Sequence, residues 1–290
     1  MKPIANSELI INPDGSVFHL HIKPGQLASR VILVGDPGRV EMVAGFMSRV
    51  DYEGSNREFV WKTGVFNEVA FTVLSTGIGT DNIDIVMNEL DALVNIDFET
   101  RLPKAEHTTL SIVRVGTSGS LQEDLPVDSW VLSEKAIGFD GLLNFYDGRD
   151  RVADLGFEKA FVNHTGWIKS LHAPYVVNAD DDLVKRLEGS SVIKGVNISA
   201  PGFYGPQGRV LRLPLAMPDL NSAVTRFRYN EFRITNYEME CSAIYGLSAL
   251  LGHKAATVCV IIANRWQGTY SKDYKKVVKQ LVGYVLRALA

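Results

Sequence analysis

Apolar positions along the chain switch between two periods. Val31-Ile32-Leu33-Val34 is an unbroken apolar run of strand length, and Val40, Val43, Ala44 and Met47 then follow the i, i+3, i+4, i+7 spacing of one helix face. The switch recurs. Val65-Phe66 and residues 69–74 predict a hairpin, while Ile83, Val86, Met87, Leu90 and Leu93 predict a helix with Thr80 or Asp81 at its N-cap. Residues 110–115 and 127–132 predict two further strands. Met239, Ala243, Gly246, Leu247 and Leu250 predict a helix closed by Gly252, and residues 256–263 predict a strand buried on both faces. Strand, glycine turn and helix in repetition predict an α/β fold with a largely parallel central sheet. No repeat or linker separates a second domain. Residues 95–109 and 147–172 are polar and irregular in period, and they read as peripheral.

Composition narrows the class. With 46% apolar and 22% charged residues the chain reads as a folded globule. Its 33 acids against 30 bases give a net charge of −3. That balance argues against a module built to coat nucleic acid or a membrane surface. No run approaches the roughly 18 apolar residues needed to cross a bilayer. The first residues lack the apolar segment of a secretory signal, so the expected location is cytoplasmic. Cys241 and Cys259 fit neither a disulfide framework nor a zinc spacing, and they read as reduced, packed thiols.

Candidate chemistry sits just after the strands, where open α/β sheets form their ligand crevice. Three glycine-rich turns are expected there: Gly35-Asp36-Pro37-Gly38-Arg39, Thr76-Gly77-Ile78-Gly79 and Gly116-Thr117-Ser118-Gly119. Such turns let backbone N–H groups approach an anion, although tight turns also use glycine for conformation alone. Arg114, near the end of a buried strand, must face an anion, either a ligand or a structural carboxylate. Arg39 lies in the first turn of a helix, where the dipole disfavours a cation unless a ligand binds there. Arg57, beside Glu58, reads by itself as a surface ion-pair residue. Together with the Thr117 hydroxyl, the three arginines would suit a tetrahedral oxyanion.

The segment from Phe203 to Arg209 combines an aromatic platform, the Gln207 amide and a guanidinium. It could stack a flat heterocycle and read its edge, or be an ordinary surface turn. Glu238 and Glu240 are expected to open a helix two positions apart and so to diverge, which does not make a paired-carboxylate site. His19 and His21 are expected on one face of an extended segment. Two histidines without a third ligand do not make a metal site, and none is expected. Walker, HExxH and GxSxG patterns are absent, and Asn82 stands where a dinucleotide fingerprint would have its third glycine.

In chain order, Phe18-His19-Leu20, Gly35 to Val40, Arg57-Glu58-Phe59, Ser75 to Gly79, Arg114 to Thr117, Phe203 to Arg209 and Asn236 to Glu240 together resemble the nucleoside phosphorylase-I family, and within it the members that cleave uridine. The resemblance runs from about Val17 to the C-terminus, leaving residues 1–16 as an N-terminal extension of one domain spanning 1–290. It implies a three-layer α/β/α domain with a central mixed sheet. It also implies phosphorolysis of uridine to uracil and ribose 1-phosphate, or of deoxyuridine or thymidine to the base and 2-deoxyribose 1-phosphate, with inorganic phosphate as co-substrate and no cofactor. By resemblance, Gly35, Arg39, Arg57, Arg114 and Thr117 hold phosphate. His19, Met239 and Glu240 hold ribose, and Phe203, Gln207, Arg209 and Ile262 hold the base. Arg114, Gln207, Arg209 and Glu240 carry the catalysis.

The family supplies residues of the His19 and Arg57 type from a neighbouring subunit, so a homodimer with shared sites is implied, which could build a hexamer. Some members hold a monovalent cation near the positions of Glu58 and Ile78; here Thr80-Asp81-Asn82 departs from the smaller Gly-Pro-Ser pattern. Purine-specific members usually carry an acid after the last core strand, where this chain reads Ile262-Ala263-Asn264-Arg265-Trp266. The alternatives are a purine nucleoside phosphorylase or a nucleosidase of the same fold, and a nucleoside-binding protein without turnover.

Overall fold

A computed structural model describes residues 2–290. Among them lie the strands β1 (Arg30–Val34), β2 (Arg49–Asn56), β3 (Phe59–Phe66), β4 (Val69–Ser75), β5 (Ile96–Asp97), β6 (Leu102–Pro103) and β7 (Ser111–Ser120). The second half adds β8 (Trp130–Gly138), β9 (Tyr175–Asn178), β10 (Val192–Ser199), β11 (Arg228–Tyr229), β12 (Phe232–Glu238), β13 (Lys254–Asn264) and β14 (Thr269–Tyr270). The α-helices are α1 (Gly38–Ala44), α2 (Thr80–Asn95), α3 (Arg149–Val152), α4 (Leu155–Thr165), α5 (Asp181–Leu187), α6 (Leu220–Arg226), α7 (Cys241–Leu251) and α8 (Tyr274–Leu289). None is long and apolar enough to cross a membrane.

A twelve-stranded sheet runs in the order β11-β12-β10-β8-β13-β7-β1-β4-β3-β2, with β9 added on β8 and β14 on β13. Strands β4, β1, β7 and β13 are parallel neighbours, as are β8, β10 and β12. The two blocks meet antiparallel at β13–β8 and again at β12–β7. This second meeting closes β7, β13, β8, β10 and β12 into a ring.

Alternation along β1 makes the layers. Val31 and Leu33 enter the core that α2 and α7 cover, whereas Ile32 and Val34 enter the core that α1, α5 and α8 cover. A continuous apolar run is what a strand buried on both faces requires. The expected three-layer α/β/α arrangement with a mixed sheet is therefore observed. Ile83, Val86, Met87, Leu90 and Leu93 are the buried stripe of α2, as their spacing predicts.

Several local expectations are corrected. Strand β2 pairs with β3, but its residues are mostly exposed, so it carries no apolar alternation to read. Strand β8 starts at Trp130 because Asp128 takes a positive φ of 69° and turns the chain before it. The residues at 147–172 include α4, an eleven-residue helix that buries Phe157 and Phe161 alone, too thin a stripe to show a period. The segment holding His19 and His21 is a turn, with the His21 N–H on Val17 O, and not extended chain. Residues 116–119 are not a turn either. They continue β7, and Gly116 is required there: a Cβ would stand 2.0 Å from Arg114 Nη1 and 2.9 Å from Cys259 Sγ.

Candidate active site

The carboxyl ends of β1, β4, β7, β12 and β13 frame a cavity of about 500 Å³, within the usual size of a small-molecule site. Its wall includes Gly35, Arg39, Ile78, Arg114, Thr117, Phe203, Gln207, Arg209, Met239, Glu240 and Ile262, eleven positions the sequence had singled out from six separate segments. His19, Arg57 and Glu58 are not in the wall. They lie by its Gly77–Ile78 edge: Asn56 Nδ2 donates to His19 O at 2.8 Å, tying His19 to the β2–β3 turn. A Cβ on Gly77 would come within 3.0 Å of Glu58 Cγ. Arg57 holds a φ of 54° in that turn, a costly conformation for a residue with a side chain. His19 itself is held by Glu89, which accepts from its ring at 2.6 Å and from its backbone N–H at 3.0 Å.

Arg114 is buried and ion-paired. Its Nη2 donates to Glu240 Oε2, and its Nη1 lies 3.3 Å from Glu238 Oε2 and 3.4 Å from Cys259 Sγ. Burial alone would depress the guanidinium's pKa, but Glu240 and Glu238 outweigh it and raise it above the usual value. The two acids therefore do not diverge from a helix start. Glu238 ends β12, Glu240 sits in the bend before α7, and both carboxylates turn onto one arginine. Arg114 Nε, also buried, has no protein partner. Glu240 spends its other oxygen on the Gly79 N–H at 2.9 Å, so Gly79, and not the side chain of Thr80 or Asp81, caps α2.

Arg39 extends from α1 toward β7, its Nη2 within 3.4 Å of Thr117 Oγ1. Burial and then the neighbouring Arg114 lower its pKa. Glu238 and Glu240 balance the charge of Arg114, so Arg39, with no carboxylate on it, is the cation left beside Gly35 and the Thr117 hydroxyl, a set of donors that could meet a tetrahedral oxyanion.

The other chemistry is amide and aromatic. Arg209 lies over the Phe203 ring, 3.6 Å from its centroid, and its Nη1 donates to Gln207 Oε1 at 2.6 Å. The platform foreseen for a heterocycle is thus covered on one face by the guanidinium. Burial, followed by repulsion from Arg265, brings the Arg209 pKa down to about 10. Arg265 donates to Gln207 O and keeps a buried Nη2 without a partner. Sequence reasoning gave Glu238, Tyr237, Tyr270 and Arg265 no part in the site; only the buried, paired Glu238 had a signal, its place two residues before Glu240.

Asn82 and Glu58 both approach Gly77, next to the Ile78 position of the candidate cation site. Asp91, His107 and His253 also approach one another. There His253 Nδ1 accepts the Leu110 N–H at 3.1 Å, which leaves the ring proton on Nε2, 3.2 Å from Asp91 Oδ1. A metal would need the lone pair that this proton occupies. Cys241 and Cys259 are free and buried.

Residues 29–290 match the family model of the phosphorylase superfamily, and the chain belongs to that superfamily. It is a nucleoside phosphorylase, an enzyme that transfers a pentosyl group. The chain is similar to a uridine phosphorylase of Thermococcus kodakarensis, 27% identical over 96% of this chain and 88% of that one. It is also similar to a DeoD-type purine nucleoside phosphorylase of Streptococcus suis, 26% identical over 64% of this chain and 78% of that one. Among solved structures, a Trypanosoma brucei nucleoside phosphorylase described as showing uridine phosphorylase activity superposes with a TM-score of 0.89. It is 29% identical, with 97% of this chain and 99% of that one covered.

Proposed function

We propose that this nucleoside phosphorylase cleaves uridine with inorganic phosphate, giving uracil and ribose 1-phosphate. The observation that carries the reading is the convergence in one cavity of Arg39, Arg114 and Thr117, of Met239 and Glu240, and of Gln207 and Arg209. In the reaction a phosphate oxygen forms a bond to the anomeric carbon as the bond from that carbon to the base nitrogen breaks. Positive charge develops on the sugar and negative charge on the base. Phosphate held by Arg39, Thr117 and Arg114 is nucleophile and counter-charge at once. Glu240, fixed by Arg114 and Gly79, is placed to accept from ribose hydroxyls, and Met239 and Ile262 supply apolar contact. Arg209 and the Gln207 amide are placed to hold the departing base anion. The base takes its proton from water, and no cofactor enters.

The relative of DeoD type makes a purine substrate the second reading. Against it, the stretch Ile262-Ala263-Asn264-Arg265-Trp266 carries no acid that could protonate a purine, and the Asn264 amide is spent inside the fold. Nδ2 donates to Gln122 O and Leu125 O, and Oδ1 accepts from the Trp266 and Gln267 N–H groups. His19 and Arg57, outside the wall of their own cavity but together beside its edge, fit a homodimer in which each subunit completes its partner's site. Base release from uridine and from inosine, each with and without phosphate, tests the reading. Uridine cleavage that needs phosphate is expected; equal release without phosphate would make the enzyme a nucleosidase, and preference for inosine would make it a purine enzyme.

A further inference from the structure

The carboxylate that steadies Arg114 is itself held from behind. Glu238 Oε2 accepts the N–H groups of Glu240 and Cys241, both at 2.9 Å, and Oε1 accepts the Ser199 hydroxyl at 2.5 Å. Ser199 Oγ accepts the Ser242 N–H at 2.8 Å, and Ser242 Oγ donates to Asp140 Oδ2 at 3.1 Å. Asp140 Oδ1 takes the Tyr175 hydroxyl at 2.9 Å and the Leu142 N–H at 2.8 Å. Ser199, Ser242 and Tyr175 are buried, and of these groups only Glu238 reaches the cavity wall. Space has been reserved for the chain at the end of β8: a Cβ on Gly138 would stand 2.3 Å from Tyr175 Cζ and 2.8 Å from Asp140 Oδ2.

Proton counting gives the chain a direction. One side of Ser199 Oγ is taken by the Ser242 N–H, so its own proton has Glu238 Oε1 as its acceptor, and that oxygen must present a lone pair. The Ser242 proton likewise goes to Asp140, which fixes the first turn of α7 and with it the N–H that Ser199 receives. Every polar atom on the path is met, as a rigid buried network requires. The path ends on a carboxylate that must stay ionised and fixed to hold the Arg114 guanidinium in place.

We propose that Ser199 and, behind it, Asp140 are positioning residues for phosphate use: through Ser242 they keep Glu238 charged and aimed at Arg114. This rests on the phosphorolysis reading. The test is steady-state kinetics with each substrate varied against saturation of the other, on Ser199→Ala and Asp140→Asn, with thermal melting of each. Ser248→Ala serves as control, since that hydroxyl lies on the same helix, is buried and has no partner. The phosphate KM is expected to rise about tenfold in Ser199→Ala and about threefold in Asp140→Asn, the loss typical of a hydrogen bond to a charged group. The uridine KM should move less than about twofold. The acid limb of kcat/KM for phosphate should shift to higher pH in Ser199→Ala, because Glu238 loses a donor to its charged form. An unchanged phosphate KM in both variants overturns the proposal. So does an equal rise in both KM values, or the same change in Ser248→Ala, since each would mean general loosening of α7. A wild-type enzyme whose nucleoside cleavage does not depend on phosphate overturns the phosphorolysis reading and this proposal with it; an active wild type with unmoved variants overturns only the proposal.

Discussion

Arg114 and Glu240 are joined side chain to side chain, one from the buried strand β7 and the other from the bend that precedes α7, 126 positions further along the chain. Under the proposed reading, the pair links the residues for phosphate to the one for ribose. It also sets the conditions for testing either one, because removing one partner leaves the other charge buried.

Arg114→Ala is therefore expected to lose stability as well as activity, by about 3–5 kcal/mol for an orphaned buried carboxylate. Arg114→Lys keeps the charge and loses the fork. It should melt closer to wild type while its phosphate KM rises at least tenfold. Phosphate titrations of the lysine variant beside thermal melts check both; an unaltered phosphate KM would remove Arg114 from the anion site.

Gln207→Ala should slow uridine cleavage by about 1–3 kcal/mol of transition-state stabilisation, while sparing a riboside whose leaving group departs easily. The Gln207 amide orients Arg209, and under the proposed reading it also meets the base, so the deficit should follow the basicity of the leaving group. Comparing kcat/KM for uridine and an activated aryl riboside measures this. Equal losses would leave Gln207 only the task of shaping its loop.

Burial pushes the Glu238 carboxyl from its ordinary 4.5 up to about 7, against the pull of Arg114. A folded-state pKa above the unfolded one means a stabilising contribution that is complete below about 4.5 and lost as pH rises through about 7. Wild type should thus lose more melting temperature than Glu238→Gln between pH 5 and pH 8. Activity runs the other way: phosphate kcat/KM should climb through the same window in wild type. The climb should flatten in Glu238→Gln, apart from the phosphate's own ionisation. Parallel melting curves for the two proteins would count against the raised carboxyl.

Arg57→Ala and Arg114→Lys, each weakly active alone at phosphate well below the variants' KM under the shared-site reading, should complement when unfolded, mixed, refolded together and assayed at that phosphate. Equal mixing of dimers gives about half heterodimers, each with one intact site, and so about a quarter of wild-type turnover. A mixture no more active than its parts would place Arg57 outside catalysis or make the sites independent.

Much of the site was readable because its residues sit beside strong local signals. Gly35 and Arg39 follow an apolar run that can only be a buried strand, and Arg114 is a charge where burial forbids one without a partner. Gln207 and Arg209 lie in a loop whose composition is unusual for a plain turn. Other parts had no such signal. Strand β2 exposes its side chains, so nothing in its pattern separates it from a loop. Glu238 and Glu240 look divergent on the assumption of a helix start; they converge because β12 continues through Glu238 and the helix begins only at Cys241. Gly116 to Gly119 read as a turn because glycine is common in turns, whereas here it makes room for a guanidinium and a thiol inside a strand.

The amino-acid order alone determined the α/β class and several of its strands and helices, those around Val31–Val34, Val69–Ser75, Thr80–Asn95, Ser111–Ser120, Cys241–Leu251 and Lys254–Asn264 among them, and it singled out most of the polar residues that line the cavity. These follow from local periodicity and from the cost of burying an unpaired charge, which neighbouring residues are enough to express. Only the tertiary structure decided that Arg114 is shared by two carboxylates, that Arg209 lies on Phe203, and that His19 and Arg57 stand outside the cavity wall of their own chain. Each of these depends on contacts between segments far apart in sequence, whose geometry is set by how the sheet closes between β7 and β12.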